Sequence, residues 1–322
     1  MDAEVVNESD WLSPTSIRRA HDRIRGYVRR TPLLRSKAIS ESARAEVRLK
    51  AEHLQHTGSF KVRGAFNRLL AIDPRSVTEV VTASSGNHGQ AVAYAARALG
   101  IKPTVVLPEN AAPIKVEAAR AYGATLEFSG TTSAQRLARA KSLAHAQRPF
   151  IAPYDDYLVM AGQGTVGLEI LGQFAEVEVV VVPIGGGGLI SGIAVAIKCS
   201  APHVRVIGVE PEGAAKVSAS LAQGRPMVLT STASIADGLK ALTPGELTWP
   251  FITQFVDEVV TVSDEEIADT VRFLAERAKQ VVEPSGAAAL AYVIGPQKPC
   301  AGKKVVAVLS GGNIDWATLA TL

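Results

Sequence analysis

Cysteine is nearly missing from this chain of 322 residues: Cys199 and Cys300 are its two thiols. Two cysteines so placed make neither a metal-ligand spacing nor a disulfide framework. No apolar run approaches the roughly 20 residues that a membrane helix needs. Aromatic residues are scarce, at 5%, and none is interleaved with a basic tract. Charge of one sign is lacking too, with 34 basic residues against 31 acidic ones. Such a balance argues against nucleic acid as a partner. The basic run Arg18, Arg19, Arg23, Arg25, Arg29 and Arg30 reads as a solvated helix face, with a phosphate or partner contact as its alternative. The opening MDAEVVNESDW is acidic and polar, unlike a signal peptide. A cytoplasmic protein is expected, binding neither membrane nor nucleic acid.

What the chain has is alternation. After one amphipathic helix within the first 30 residues, short β-like runs alternate with helical ones. EVRLKAE, EVVTAS, PTVVLP, ATLEFSG, FIAPY, EVVVVPI, VRVIGVEP and KKVVAVLSGG read as strands, most of them followed by an alanine- or leucine-rich helical stretch. Near-continuous Val/Ile runs joined by helices predict parallel strands covered on both faces, an α/β fold. Residues 70–153 hold compact strand–helix units suited to a small domain. The longer apolar strands follow, so the larger sheet is expected mainly from the C-terminal half. A site between two such domains suits a small molecule.

Four stretches are candidates for chemistry. In HTGSFKVRGAFNRLL, residues 56–70, Val62, Phe66 and Leu69 follow helical spacing, and Thr57, Gly58 and Ser59 precede them with a hydroxyl free to cap. Lys61 then falls in the first turn, the end of a helix that favours anions. In TASSGNHGQAVA, residues 82–93, a polar strand-to-helix loop offers N–H groups and the Ser84 and Ser85 hydroxyls to one anion; a well-capped turn is the alternative. In VVVVPIGGGGLISG, Gly185 to Gly188 follow a buried strand and open a helix. Four consecutive glycines lose much entropy on ordering, which a plain turn does not require and a phosphate cradle does. In VVAVLSGGN, Ser310 stands at a strand's C-terminal end, where open α/β sheets place ligands, although a tight turn explains it equally.

GGGGLIS also approaches a dinucleotide fingerprint, with Glu210 closing the next strand where a ribose-binding acid belongs. Its third glycine is replaced by Ile190 and Ser191, and it leaves Lys61 and the SSGNH loop without a shared task. One cofactor unites all of them. Pyridoxal 5′-phosphate needs an amine for an imine, a cradle for one phosphate, and an anion site for an amino-acid carboxylate. A positive helix end also lowers a lysine pKa and supplies the neutral amine.

HTGSFKVRGA, SSGNHGQAVA, GGGGLISG, VVEPSG and LSGGN stand in the order and spacing of a known group. From RTPLL onward the chain resembles the fold-type II pyridoxal-phosphate enzymes, in particular the threonine/serine ammonia-lyase (dehydratase) and serine racemase family. The resemblance implies a two-domain α/β fold like the tryptophan synthase β chain, with open, mostly parallel sheets and helices on both faces. Residues 1–69 and 154–322 would form a discontinuous large cofactor domain and residues 70–153 the small one. It further implies that Lys61 carries the cofactor and then acts as Cα base. Phe60 would pack near the ring and Asn87 would bond its hydroxyl. Gly185, Gly186, Gly187, Gly188 and the Leu189 amide would hold the phosphate, and Ser310 would face the pyridine nitrogen. Ser84, Ser85, Gly86, Asn87 and His88 would grip the substrate carboxylate. Ser85 is the second catalytic candidate, facing Lys61 across the substrate. Arg136 falls where some relatives place a substrate-side arginine, and Glu283 lies near the ring or has a structural role.

The activity so implied is β-elimination from a 3-hydroxy amino acid, L-threonine and/or L-serine, to a 2-oxo acid and ammonia. A serine at 310 suits this, because it cannot hold the pyridine nitrogen protonated as a carboxylate would. Serine racemisation with side elimination, or another substrate such as hydroxyaspartate or phenylserine, is the alternative; Tyr154 is placed to reshape the pocket. A nicotinamide-dependent dehydrogenase and a non-catalytic phosphate binder are the readings from other classes. Many relatives bind Mg²⁺ or Ca²⁺ at a Glu-Pro-x-x-Ala-x-Asp sequence. Here EPEGAAK, residues 210–216, puts Lys216 at the aspartate position, so no metal is expected. Little chain follows SGGN, so a C-terminal regulatory domain and isoleucine feedback are not expected. A homodimer is.

Overall fold

A computed structural model describes residues 11–322 apart from Pro74, Ser85 and Ala112, with the side chains of residues 113–115 also left aside. Among the described residues, nine strands form two sheets. Six build the larger one: β1 (Leu33–Arg35), β2 (Glu46–Ala51), β6 (Val179–Pro183), β7 (Arg205–Pro211), β8 (Glu258–Val262) and β9 (Lys304–Leu309), in the order β1-β2-β9-β6-β7-β8. Only the β1–β2 pair is antiparallel. The smaller sheet is parallel, β3 (Glu79–Ala83), β4 (Lys102–Leu107) and β5 (Thr125–Phe128). Four of the six strands of the larger sheet come from beyond residue 178, as the apolar runs predict.

The valine run of β6 shows why the sheet is covered twice. Side chains alternate across a strand. Val179 and Val181 join Ile207, Val209, Val305 and Ala307 in one core, beneath the helix Pro284–Ile294. Val180 and Val182 join Val206, Val306 and Val308 in the other, beneath the helix Gly188–Lys198. All four valines are buried, each worth about 1.5–3 kcal/mol of transfer free energy.

The helix Lys61–Leu70 serves the smaller sheet. Val62, Ala65, Phe66 and Leu69 share a core with Val80 and with Ala91, Val92, Ala95 and Ala96 of the helix Asn87–Ala98. Beneath its first turn lies a closed ionic cluster. The Arg63 guanidinium bonds both oxygens of Glu52 and both of Glu169, and Lys50 Nζ meets Glu169 Oε2 at 2.5 Å. All four side chains are buried.

Three sequence expectations are corrected. FIAPY is no strand: Phe150 makes a single bridge to Val81, and Pro149 and Pro153 lack the N–H groups that would extend it. Strands β1 and β8, absent from the sequence reading, border the larger sheet and are mostly half-buried. The helix Lys61–Leu70 has no side-chain cap. Its N-cap is Phe60, Thr57 Oγ1 and Ser59 Oγ are buried without partners, and Gln163 Oε1 accepts from the Gly64 N–H instead.

Candidate active site

Three neighbouring strands deliver three of the singled-out stretches to one edge of the larger sheet. β2 leads through a short 3₁₀ turn to Lys61, β9 ends at Ser310, and β6 ends before Gly185. Residues 58–60 then lie against 310–312: Phe60 N donates to Ser310 O at 3.1 Å and Gly312 N to Gly58 O at 2.9 Å. Lys61 is thereby tied to the end of β9, although about 250 residues separate them. This edge carries the C-terminal ends of parallel strands, the place where such sheets bind ligands.

Lys61 opens its helix, as its spacing predicts. Its Nζ donates to the Pro153 carbonyl at 2.6 Å and lies 5.1 Å from the Phe60 ring centre. Burial pushes its pKa down from 10.5 to about 8, with the Glu283 carboxylate pulling in the opposite direction.

At the glycine loop, the N–H groups of Gly185 to Leu189 donate no hydrogen bond among the described residues. They form, with the positive end of the helix Gly188–Lys198, a ready anion site. Two glycines are fixed by their neighbours as well. Gly187 has φ +102°, and a Cβ on Gly186 would sit 2.4 Å from the Tyr154 ring. The ring of Tyr154 therefore rests directly on the loop.

The Ser84–His88 stretch opens the helix Asn87–Ala98. The N–H groups of Asn87 and His88 likewise donate to no described residue. Ser84 Oγ accepts from Gly86 N at 3.2 Å, and Ser85 lies outside the described residues. His88 is buried; its Nε2 faces the Ile151 carbonyl at 3.1 Å while Nδ1 has no partner. Burial, reinforced by Lys61, drops its pKa to about 3. Asn87 is held from both sides: Nδ2 donates to Glu283 Oε1 at 2.6 Å, and Oδ1 accepts from Asn313 Nδ2 at 2.7 Å. Ser310 is buried, its Oγ 3.4 Å from the Ser285 carbonyl. Arg136 is not brought in. Its guanidinium bonds locally to Ser133 Oγ at 2.9 Å and Thr131 O at 3.4 Å.

Glu210 does not await a ribose. It is fully buried and accepts from Val217 N, Ser218 N and Ser218 Oγ at 2.8–3.0 Å. That removes the acid a dinucleotide site would need.

Residues 24–311 match the family described as pyridoxal-phosphate dependent enzyme. The chain belongs to that family. An L-threonine ammonia-lyase of Geobacter sulfurreducens is 45% identical over 314 residues, 97% of this chain and 78% of that protein. A serine racemase of Arabidopsis thaliana is 41% identical over 313 residues, 94% of either chain. The structure of maize serine racemase superposes with a TM-score of 0.92 at 40% identity, over 96% of both chains. As a pyridoxal-phosphate enzyme the protein needs an amine, a phosphate site and a carboxylate site. The residues present fit: the Lys61 amine, its pKa depressed by burial, and two helix openings whose N–H groups donate to no described residue. Asn313 and the Pro153 carbonyl are contributors that the sequence reading did not single out. Asn313 closes the SGGN motif and so carried a signal; a backbone carbonyl carries none.

Among the described residues, no helix is long and apolar enough to cross a membrane.

Proposed function

We propose that the protein is an ammonia-lyase that converts a 3-hydroxy amino acid, L-threonine and/or L-serine, to a 2-oxo acid and ammonia. The observation that carries the reading is the placement of the Lys61 amine, poised to lose its proton, with two unclaimed N–H arrays around it. Bound pyridoxal phosphate supplies the electron sink that acidifies the Cα–H of an amino acid joined to it. Gly185 to Leu189 would hold its phosphate through main-chain N–H groups. Phe60, Asn87 and Ser310 would border its ring. The N–H groups of Asn87 and His88, with Ser84, Ser85 and Gly86, hold the substrate carboxylate, which turns the Cα–H toward Lys61. Lys61 Nζ would take that proton, the β-hydroxyl would leave as hydroxide and gain a proton to become water, and hydrolysis by one water would release the 2-oxo acid and ammonia. A neutral His88 adds no second positive charge beside Lys61, which helps the amine stay unprotonated.

The relatives named threonine ammonia-lyase support elimination, and those named serine racemase mark the alternative outcome. The same reading makes the protein a cytoplasmic homodimer without a divalent metal. It has a large cofactor domain, residues 1–69 and 154–322, and a small domain, residues 70–153. The two separate sheets support two domains, while the helix Lys61–Leu70, counted here with the large one, shares its core with the smaller sheet. The test is a panel of 3-hydroxy amino acids scored for 2-oxo acid, with D-serine assayed in parallel. Threonine or serine is expected to give mainly 2-oxo acid. Dominant D-serine from L-serine would overturn elimination in favour of racemisation.

A further inference from the structure

Away from Lys61, a second lysine opens a helix and is more deeply buried. Lys216 begins the helix Lys216–Gln223 and has no solvent exposure. Its Nζ donates to Ile184 O at 2.8 Å, Leu239 O at 3.1 Å and Ala214 O at 3.2 Å, and meets Glu210 Oε1 at 2.9 Å. Every neighbour is an acceptor. An ammonium has three hydrogens to offer and no lone pair, so it suits this shell; a neutral amine would turn a lone pair toward oxygens.

The partners are informative. Ile184 is the residue before Gly185. Leu239 ends the turn Asp237–Leu239, and the Gly238 carbonyl of that turn would lie 2.8 Å from a Cβ on Gly185. Gly238 N donates to Ser285 Oγ at 2.8 Å, and the Ser285 carbonyl is the one facing Ser310 Oγ. One buried charge thus ties the start of the glycine loop to the turn beside it and to the end of β7.

The family resemblance points to a divalent cation at this position. The residues here do not fit one. A metal ion bound by these oxygens would coincide with the Lys216 ammonium, and one carboxylate with carbonyls makes a poor shell beside a fixed positive charge.

We propose that the Lys216 ammonium is a built-in cation that holds the glycine loop in its cofactor-binding shape, so that the enzyme uses no divalent ion there. The proposal rests on the reading that Gly185 to Leu189 bind the cofactor phosphate. Its test reads cofactor affinity and metal dependence, not turnover, so a protein that binds pyridoxal phosphate but fails to deaminate threonine leaves it standing.

Two arms are needed. In the first, the wild-type holoenzyme is assayed for bound metal and for thermal midpoint with EDTA, Mg²⁺ and Ca²⁺. No stoichiometric metal and no shift are expected; stabilisation by Mg²⁺ or Ca²⁺ that EDTA reverses would overturn the proposal. In the second, apo forms of Lys216→Ala and Lys216→Met are titrated with pyridoxal phosphate. Both are expected to bind roughly tenfold more weakly or worse, the scale of leaving buried acceptors without a donor. Ammonium or potassium ions should restore the alanine variant, whose cavity admits them, and not the methionine variant, whose thioether fills the space. Wild-type affinity in Lys216→Met would show that bulk alone matters and would sink the idea. So would failure of every small cation to improve Lys216→Ala, whether read as affinity or as soluble yield.

Discussion

The Lys61 ammonium donates to the Pro153 carbonyl at 2.6 Å, and the next residue, Tyr154, lies with its ring on the glycine loop. The connector between the two sheets therefore touches both the amine and the glycine loop. Asp155 continues it, accepting from Leu247 N at 2.8 Å and Glu246 N at 3.1 Å, and Asp156 caps the helix Tyr157–Gln173 through Val159 N at 2.9 Å.

The depressed pKa of Lys61 sets a pH dependence. Only the neutral amine attacks an aldehyde, and burial brings its pKa to about 8. The rate at which apoenzyme takes up pyridoxal phosphate should rise with pH, with a midpoint near 8, and level off above it. Glu283 raises this pKa, so Glu283→Gln should move the midpoint to lower pH. Stopped-flow absorbance measures both. A midpoint near that of free lysine, or a shift upward in the variant, contradicts the account.

Gly186→Ala places a Cβ 2.4 Å from the Tyr154 ring. Overpacking of this kind costs about 1–3 kcal/mol. The variant should lose thermal stability and hold the cofactor less tightly. Adding Tyr154→Ala should recover part of the stability, because the clashing ring is gone. Additive losses in the double variant would show that ring and loop do not couple.

His88 should make the fold sensitive to acid. Its folded pKa is about 3, against an ordinary value of 6.5. Between those values the unfolded chain binds a proton that the folded chain refuses. Stability is therefore full above 6.5 and is lost progressively as pH falls toward 3. His88→Gln should flatten that part of the stability–pH curve. An unchanged slope in denaturant titrations from pH 7 to 4 would count against it.

Glu169 closes the ionic cluster under the first turn of the Lys61 helix, serving both Arg63 and Lys50. Removing one member of a buried ion pair typically costs about 3–5 kcal/mol, because the remaining charge keeps its desolvation penalty. Glu169→Ala should lower unfolding free energy by that order. A loss under about 1 kcal/mol in chemical denaturation would mean that the cluster is not paired as described.

Periodicity explains which elements could be read in advance. The runs EVVVVPI and KKVVAVLSGG are strands covered on both faces, so burial is written continuously into them. β8 carries a short valine run too, EVVTV, but stands half-buried at the border of the larger sheet, and the apolar residues of FIAPY mimic a strand that Pro149 and Pro153 prevent. The same limit applies at the site. Lys61, the glycine loop and Ser310 announce themselves through local residue types. The clamp of Asn313 and Glu283 on Asn87 joins residues about 200 positions apart, for which no local pattern exists.

The α/β class, the positions of the glycine-marked loops and a lysine at the anion-favouring end of a helix are written in local residue patterns, because they depend on side-chain periodicity and backbone freedom over a few residues. Tertiary structure alone decided that β2, β9 and β6 lie side by side, that Pro153 meets Lys61, and that the Lys216 ammonium sits among four oxygens. Those outcomes depend on which distant segments share a core and where a buried charge finds its acceptors.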